Sequence, residues 1–139
     1  MLIGEIGSYL QAQGLGTLNL TTAAGTIYLE NLPPEPDAVV MIRSTGGTES
    51  DVRLAYDNVT AQILVRGGAD ALAATQELAQ GIYDALHGFI GQFVGGGLWI
   101  IACIGVSGGP AYIGADENDR PEYSLNFRLM VRNESRRLT

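Results

Sequence analysis

Apolar residues recur at helical spacing near the start of the chain. Gly14 follows them as a C-terminal stop, because glycine readily takes the left-handed conformation that ends a helix. Residues 2–13 are therefore predicted to form an amphipathic helix. The residues of its apolar face are Leu2, Ile3, Ile6, Tyr9 and Leu10.

A second helix is predicted from residue 71 to His87, with Gly88 as its stop. Asp70 precedes it, and a carboxylate at this position can accept hydrogen bonds from the first backbone N–H groups. The predicted buried stripe consists of Leu72, Leu78, Ile82 and Leu86.

The strongest alternation lies between Asp57 and Arg66, where Val59, Ala61, Ile63 and Val65 share one face. Thr60, Gln62 and Arg66 fall on the other, which predicts a half-buried strand. Other extended segments are predicted at 26–30, 38–43, 111–115 and 123–131, separated by a proline-rich bend at 33–36, a polar loop opening at Gly46-Gly47 and running through Asp51, and a turn at 116–119.

Residues 98–106 form a run with apolar residues on both predicted faces. Leu98, Ile100, Ala102, Ile104 and Val106 alternate with Trp99, Ile101 and Cys103. Such a strand is predicted to need cover on both sides.

The order of helix, strands, helix and strands favours an α+β fold. We predict a mostly antiparallel sheet with two main helices packed on one face. The 139 residues fit one domain, 1–139, because neither a repeat nor a linker divides them.

Composition points to a folded, soluble chain, with 46% hydrophobic and 17% charged residues. No apolar run approaches the ~20 residues needed to cross a bilayer. The amino terminus lacks the basic residue and apolar stretch of an export signal, so the cytoplasm is the expected starting compartment. The one cysteine, Cys103, lies in an apolar run and is predicted to act as a small hydrophobe.

The formal net charge is −7, and all eight basic residues are arginines. This balance opposes general nucleic-acid binding, which requires clustered positive charge. Arg132, Arg136 and Arg137 form the one local cluster, and we interpret it as a solvated tail.

The polar residues do not form a catalytic, cofactor-binding or metal-binding pattern. The turn at 65–70 lacks the glycine spacing and the lysine of a phosphate-binding loop. His87 is the sole histidine, and at a helix end it is predicted to offset the helix dipole. Asp116, Glu117 and Asp119 do not follow the spacing of a calcium loop, so a solvated turn is favoured. We therefore predict no enzyme activity and no cofactor.

Four features together resemble the minor capsid and tail-terminator proteins of long-tailed phages. They are the first helix ending near Gly14, the proline-rich bend before 38–42, the strand–helix unit closing in 82–88, and the turn at 114–122 leading into Asn126-Phe127. The resemblance covers nearly the whole chain.

The resemblance implies a virion protein that assembles as a ring, a hexamer in the leading version. It would cap the tail tube, contact the tube protein, and present a surface to a head-side connector or stopper. DNA would pass through without specific binding, and we expect Asp and Glu to line the channel.

The predicted subunit or partner interface is centred on Trp99 and Ile101, because tryptophan is common at the centre of interfaces. An alternative places Trp99 in the subunit's own core under segment 17–36. A second predicted contact is the loop at 44–52. The candidate residues outside the β-rich run are Ser44, Thr45, Gly46, Gly47, Asp116, Glu117, Asn118 and Arg120.

Other functions remain open from the sequence. Within the same class, the chain could be a head-completion stopper or another neck protein. From other classes, the alternatives are a small α+β ligand-binding or regulatory module using the apolar surface around Trp99, and, ranked lower, a small hydrolase or isomerase.

Overall fold

A computed structural model describes residues 2–18, 26–47, 56–93 and 97–132 of the chain. It contains two helices and six strands in one sheet, with the strand order β1-β2-β3-β6-β5-β4. The elements are α1 (Leu2–Ala12), β1 (Ile27–Leu29), β2 (Val39–Gly47), β3 (Tyr56–Arg66), α2 (Leu72–Leu86), β4 (Gly91–Gln92), β5 (Trp99–Ala115) and β6 (Pro121–Arg132).

The sheet is mostly antiparallel, as predicted. β1 and β2 pair in parallel, whereas the pairs β2–β3, β3–β6, β6–β5 and β5–β4 are antiparallel. The α+β class is thereby confirmed.

Both helices pack on one side of the sheet, which we call the core face. The Tyr9 hydroxyl of α1 donates to the Ala85 carbonyl of α2 at 3.2 Å, and the Tyr9 ring contacts Phe89 and Phe93 at centroid distances of 5.0 Å. The helices therefore form one continuous cover over the core. Its buried strand residues include Val40, Ile42, Ile63, Val65, Ile100, Cys103, Leu125, Phe127 and Leu129.

The ends of α1 and α2 were predicted closely, but the start of α2 was not. Gly14 and Gly88 have φ angles of 78° and 83°, as helix stops require. Asp70 does not cap α2, because Ala71 occupies the N-cap position and no side chain bonds there. The helix buries Thr75, Ala79, Ile82 and Leu86, while Leu72 stays 51% exposed.

A register shift between Ile100 and Ala102 changes the predicted faces of β5. Ile101 is the extra residue, so Ile100 and Cys103 both reach the core face although their numbers differ by three. Simple alternation would have placed them on opposite sides. A second shift between Val106 and Ala111 absorbs the Gly-Gly-Pro break, and the strand continues to Ala115 as predicted.

Candidate assembly interface

The bulge in β5 places three of its large apolar side chains on the side of the sheet opposite the helices, here called the far face. Trp99, Ile104 and Val106 are 42%, 40% and 41% exposed, respectively. Their partners across the ladder are Arg132, Arg128 and Asn126. Cover on both sides of this strand was expected, but the described residues leave this row exposed.

Trp99 does not lie in the subunit's own core. β1 and β5 are separated by three other strands in the sheet, so the described part of segment 17–36 lies far from the indole. Arg132 places its guanidinium carbon 5.9 Å from the centre of the Trp99 ring. An indole that is 42% exposed does not favour the core alternative, of which residues 19–25 lie outside the described part of the chain. Ile101 is a half-buried residue at the bulge.

Arginine is distributed unevenly over the described residues. Arg43, Arg128 and Arg132 are exposed and belong to the far-face positions of β2 and β6, whereas Arg66 and Arg120 are buried. The far face is thus locally basic in a chain whose formal net charge is −7.

Arg66 is a structural anchor rather than the exposed residue that alternation predicted. It is 3% exposed, and it donates hydrogen bonds to the carbonyls of Asp37, Pro33 and Pro36 at 3.0, 2.7 and 2.8 Å. Burial and the neighbouring Arg120 lower its pKa, while nearby carboxylates partly offset this effect. A planar guanidinium with several donors suits such a bundle of backbone acceptors.

Arg120 fastens the turn at 116–120 to the same segment. It donates to Asp116 Oδ2 at 2.7 Å, to Asp37 Oδ1 at 3.3 Å and to the Pro34 carbonyl. Burial opposes its charge, but the two aspartates outweigh that cost and raise its pKa. Arg120 is 7% exposed in the subunit, and its role in an interface stays a prediction.

The Asp116 carboxylate stabilises the turn by accepting hydrogen bonds from its backbone. Its Oδ1 accepts from the backbone N–H groups of Asn118 and Arg120 at 3.0 and 2.9 Å. Desolvation would raise the pKa of Asp116, yet these hydrogen bonds and the Arg120 charge lower it overall. Glu117 and Asn118 remain exposed and keep their place as interface candidates.

Residues 44–47 belong to β2 and do not open a loop. Thr45 shares a 2.6 Å hydrogen bond with Thr60 through their hydroxyls, and the Ser44 N–H donates to Glu30 Oε1 at 2.8 Å. Gly46 and Gly47 continue the ladder to β3 across a bulge. The rest of the predicted loop, 48–52, lies outside the described residues.

A half-open groove of about 320 Å³ lies where the start of α1 meets β2 and β3. Its lining is mostly apolar and includes Leu2, Ile3, Val59 and Ala61. The alternative of a ligand-binding module was predicted around Trp99, and this groove does not include that residue.

His87 joins the end of α2 to β5. Its Nδ1 accepts a hydrogen bond from the Gly105 N–H at 2.9 Å, and its ring stacks on Tyr83 at 5.1 Å. The imidazole therefore binds a neighbouring strand, which differs from the predicted role at the helix dipole. Cys103 is buried as predicted, and burial raises the pKa of its thiol to about 12.

Replacing Gly105 by alanine is expected to destabilise the fold by about 1–3 kcal/mol, since overpacking displaces neighbouring groups. A methyl group there would overlap the ring of Tyr83, which packs against the strand. Urea denaturation followed by circular dichroism measures the change. Gly97→Ala is the matched control, because nothing lies within 4 Å of its added methyl, and equal stability of the two variants would contradict this packing.

Residues 2–18, 26–47, 56–93 and 97–132 lack two further features. Those ranges hold no group of three or more His, Cys, Asp or Glu side chains placed to bind a metal ion. Within the same ranges, no helix is long and apolar enough to span a membrane.

Comparison with known proteins identifies the family. The profile described as bacteriophage tail terminator protein matches residues 9–133, which is most of the 139-residue chain. No curated protein matches the chain in sequence. The match agrees with the resemblance carried by the helix ends, the proline-rich bend and the 114–122 turn. The chain therefore belongs to the bacteriophage tail terminator family and is a structural protein of the phage tail at its junction with the head.

Proposed function

We propose that copies of this chain form a closed ring, a hexamer, on the head-proximal end of the tail tube. The ring stops the tube and joins it to a head-side connector or stopper protein. It acts by self-assembly and surface matching, without covalent chemistry. The protein is assembled in the host cytoplasm and remains in the virion.

The observation that carries this proposal is the exposed apolar row on the far face. Trp99, Ile104 and Val106 lie on one side of one strand, each about two-fifths exposed. Burying apolar surface stabilises an assembly by roughly 25 cal/mol per Å². A neighbouring copy supplies that cover, because identical subunits in a ring repeat the same contact.

The distribution of charge bears on the passage of DNA. A channel lined by carboxylates does not retain a polyanion by counterion release. In the proposed ring, the far-face arginines therefore face neighbouring copies, and Asp and Glu side chains line the channel. A ring with Arg43 and Arg128 lining its lumen would contradict this arrangement.

Electron microscopy of particles made without this subunit tests the proposed role. Overlong tails, or tails that fail to attach to heads, are the expected result. Tailless heads that leak DNA beside tails of normal length would instead indicate a head-completion stopper. Light scattering on the purified protein adds a second check of the oligomeric state. A protein that stays monomeric and also binds a small molecule tightly would favour the ligand-binding alternative.

A further inference from the structure

Residues 33–38, here called the proline segment, have an outer side that does not pack in the core. Pro34, Glu35, Pro36, Asp37 and Ala38 are all exposed. The Asp37 side chain is 66% exposed although it contacts Arg120. The segment therefore presents prolines and carboxylates together to the outside.

Buried arginines hold the proline segment from beneath. Arg66 binds three of its carbonyls, and Arg120 binds a fourth together with the Asp37 carboxylate. A segment fixed in this way loses little further conformational entropy when it binds a partner. The two buried arginines thus hold the proline segment in a fixed geometry for binding, in addition to stabilising one subunit.

The exposed surface at the other end of the far face is complementary to this segment. It consists of Trp99 with Arg128 and Arg132, which we call the Trp–Arg surface. Arg128 pairs with Ile104 across the ladder, and Arg132 lies over Trp99. Proline-rich segments dock on aromatic surfaces, and guanidinium groups pair with carboxylates.

We propose that the proline segment of one copy docks on the Trp–Arg surface of the next copy, so that Pro34 and Pro36 cover Trp99 while Glu35 faces Arg128. This inference rests on the proposed ring and names the two surfaces that meet in it. Because the two surfaces are different, the contact is head-to-tail and repeats around a ring.

These two surfaces lie far apart within one chain. Arg128 lies opposite Thr60 of β3, whereas the proline segment is anchored by Arg66 at the end of the same strand. Six residues of strand separate the two points, which is about 20 Å at 3.3 Å per residue. Any direct link between Glu35 and Arg128 therefore reports two copies.

Charge reversal tests the contact on tail tubes capped in vitro with the full chain. Glu35→Arg and Arg128→Glu are each expected to lower the amount of bound subunit at least about tenfold, since like charges then face each other. The variant with both changes restores binding, because every contact carries the swapped pair. Glu77→Arg on the outer side of α2 is the matched control and binds normally. A double variant no better than the single ones would overturn the proposal.

Cysteine cross-linking provides an independent test in the same capped tails. The variant Glu35→Cys with Arg128→Cys, treated with a short bis-maleimide because a Glu–Arg pair is spaced too widely for a disulfide, is expected to give cross-linked species larger than a dimer on a denaturing gel. Cys103 does not interfere, because its thiol is buried. Rings without such species would overturn this contact but leave the proposed function intact, and species ending at the dimer would overturn its head-to-tail order. A single subunit per tail would instead overturn the ring itself.

Discussion

Trp99→Ala is expected to lower binding of the subunit to tail ends by about 100-fold, because a tryptophan at the centre of an interface typically contributes 2–4 kcal/mol. The fold should survive, since the indole is 42% exposed and lies outside the core. Quantitative electron microscopy of capped tails, with circular dichroism of the free variant, measures both effects.

The control for this variant is Leu72→Ala. Leu72 is 51% exposed and starts α2 on the opposite side of the sheet, so its loss removes a comparable apolar side chain from outside the proposed contact. Normal capping by Leu72→Ala is expected. Normal capping by a folded Trp99→Ala variant would remove the far face from the assembly interface.

Arg66→Met is expected to cost about 3 kcal/mol of folding free energy and to lower the melting temperature by about 10 °C. The substitution keeps an apolar stem of similar length, but it removes the donors of three hydrogen bonds to the proline segment. Hydrogen bonds from charged donors contribute more than neutral ones, so the expected loss is large. Scanning calorimetry measures the change.

The matched control is Arg43→Met, an arginine on the same sheet whose side chain is exposed. Its stability is expected to stay within about 0.5 kcal/mol of the original protein. If Arg66→Met were as stable as Arg43→Met, the proline segment would not depend on the buried guanidinium. If Arg66→Met were destabilised but capped tails normally, the segment's fixed geometry would not matter for assembly.

Hydrophobic periodicity predicted α1 and β3 well, because each has a regular spacing of apolar residues. The 3.6-residue spacing before Gly14 and the alternation of Val59, Ala61, Ile63 and Val65 correspond to α1 and β3 as observed. In both cases one face packs on a continuous core, so the pattern and the burial coincide. The fold class followed from the order of these elements.

The bulge at Ile101 could not be predicted from alternation. A run in which every residue is apolar carries no period, so one inserted residue leaves no trace in the sequence. Yet this insertion decides that Trp99, Ile104 and Val106 lie together on the far face. The sequence suggested Trp99 as an interface residue, and the bulge explains how the rest of the apolar row joins it.

The buried arginines were missed for a different reason. Arg66 and Arg120 both bind residues 33–37, which are about 30 and 80 positions away along the chain, so local patterns do not reveal these contacts. A signal was nonetheless present, because Arg66 ends a strand beside a buried glycine and the proline-rich bend offers carbonyls free of strand pairing. Residues 44–47 were assigned to a loop because of their glycines, yet they belong to β2, whose ladder has a bulge between Ser44 and Gly46.

We propose that another copy of this chain covers the far face in the assembled particle. A cryo-electron microscopy map of the head-proximal tail end is the decisive experiment. We expect a closed ring in which the Trp99 indole is buried between two copies and touches the proline segment of its neighbour. A map in which Trp99 faces solvent or the DNA channel, with the copies meeting elsewhere, would contradict it.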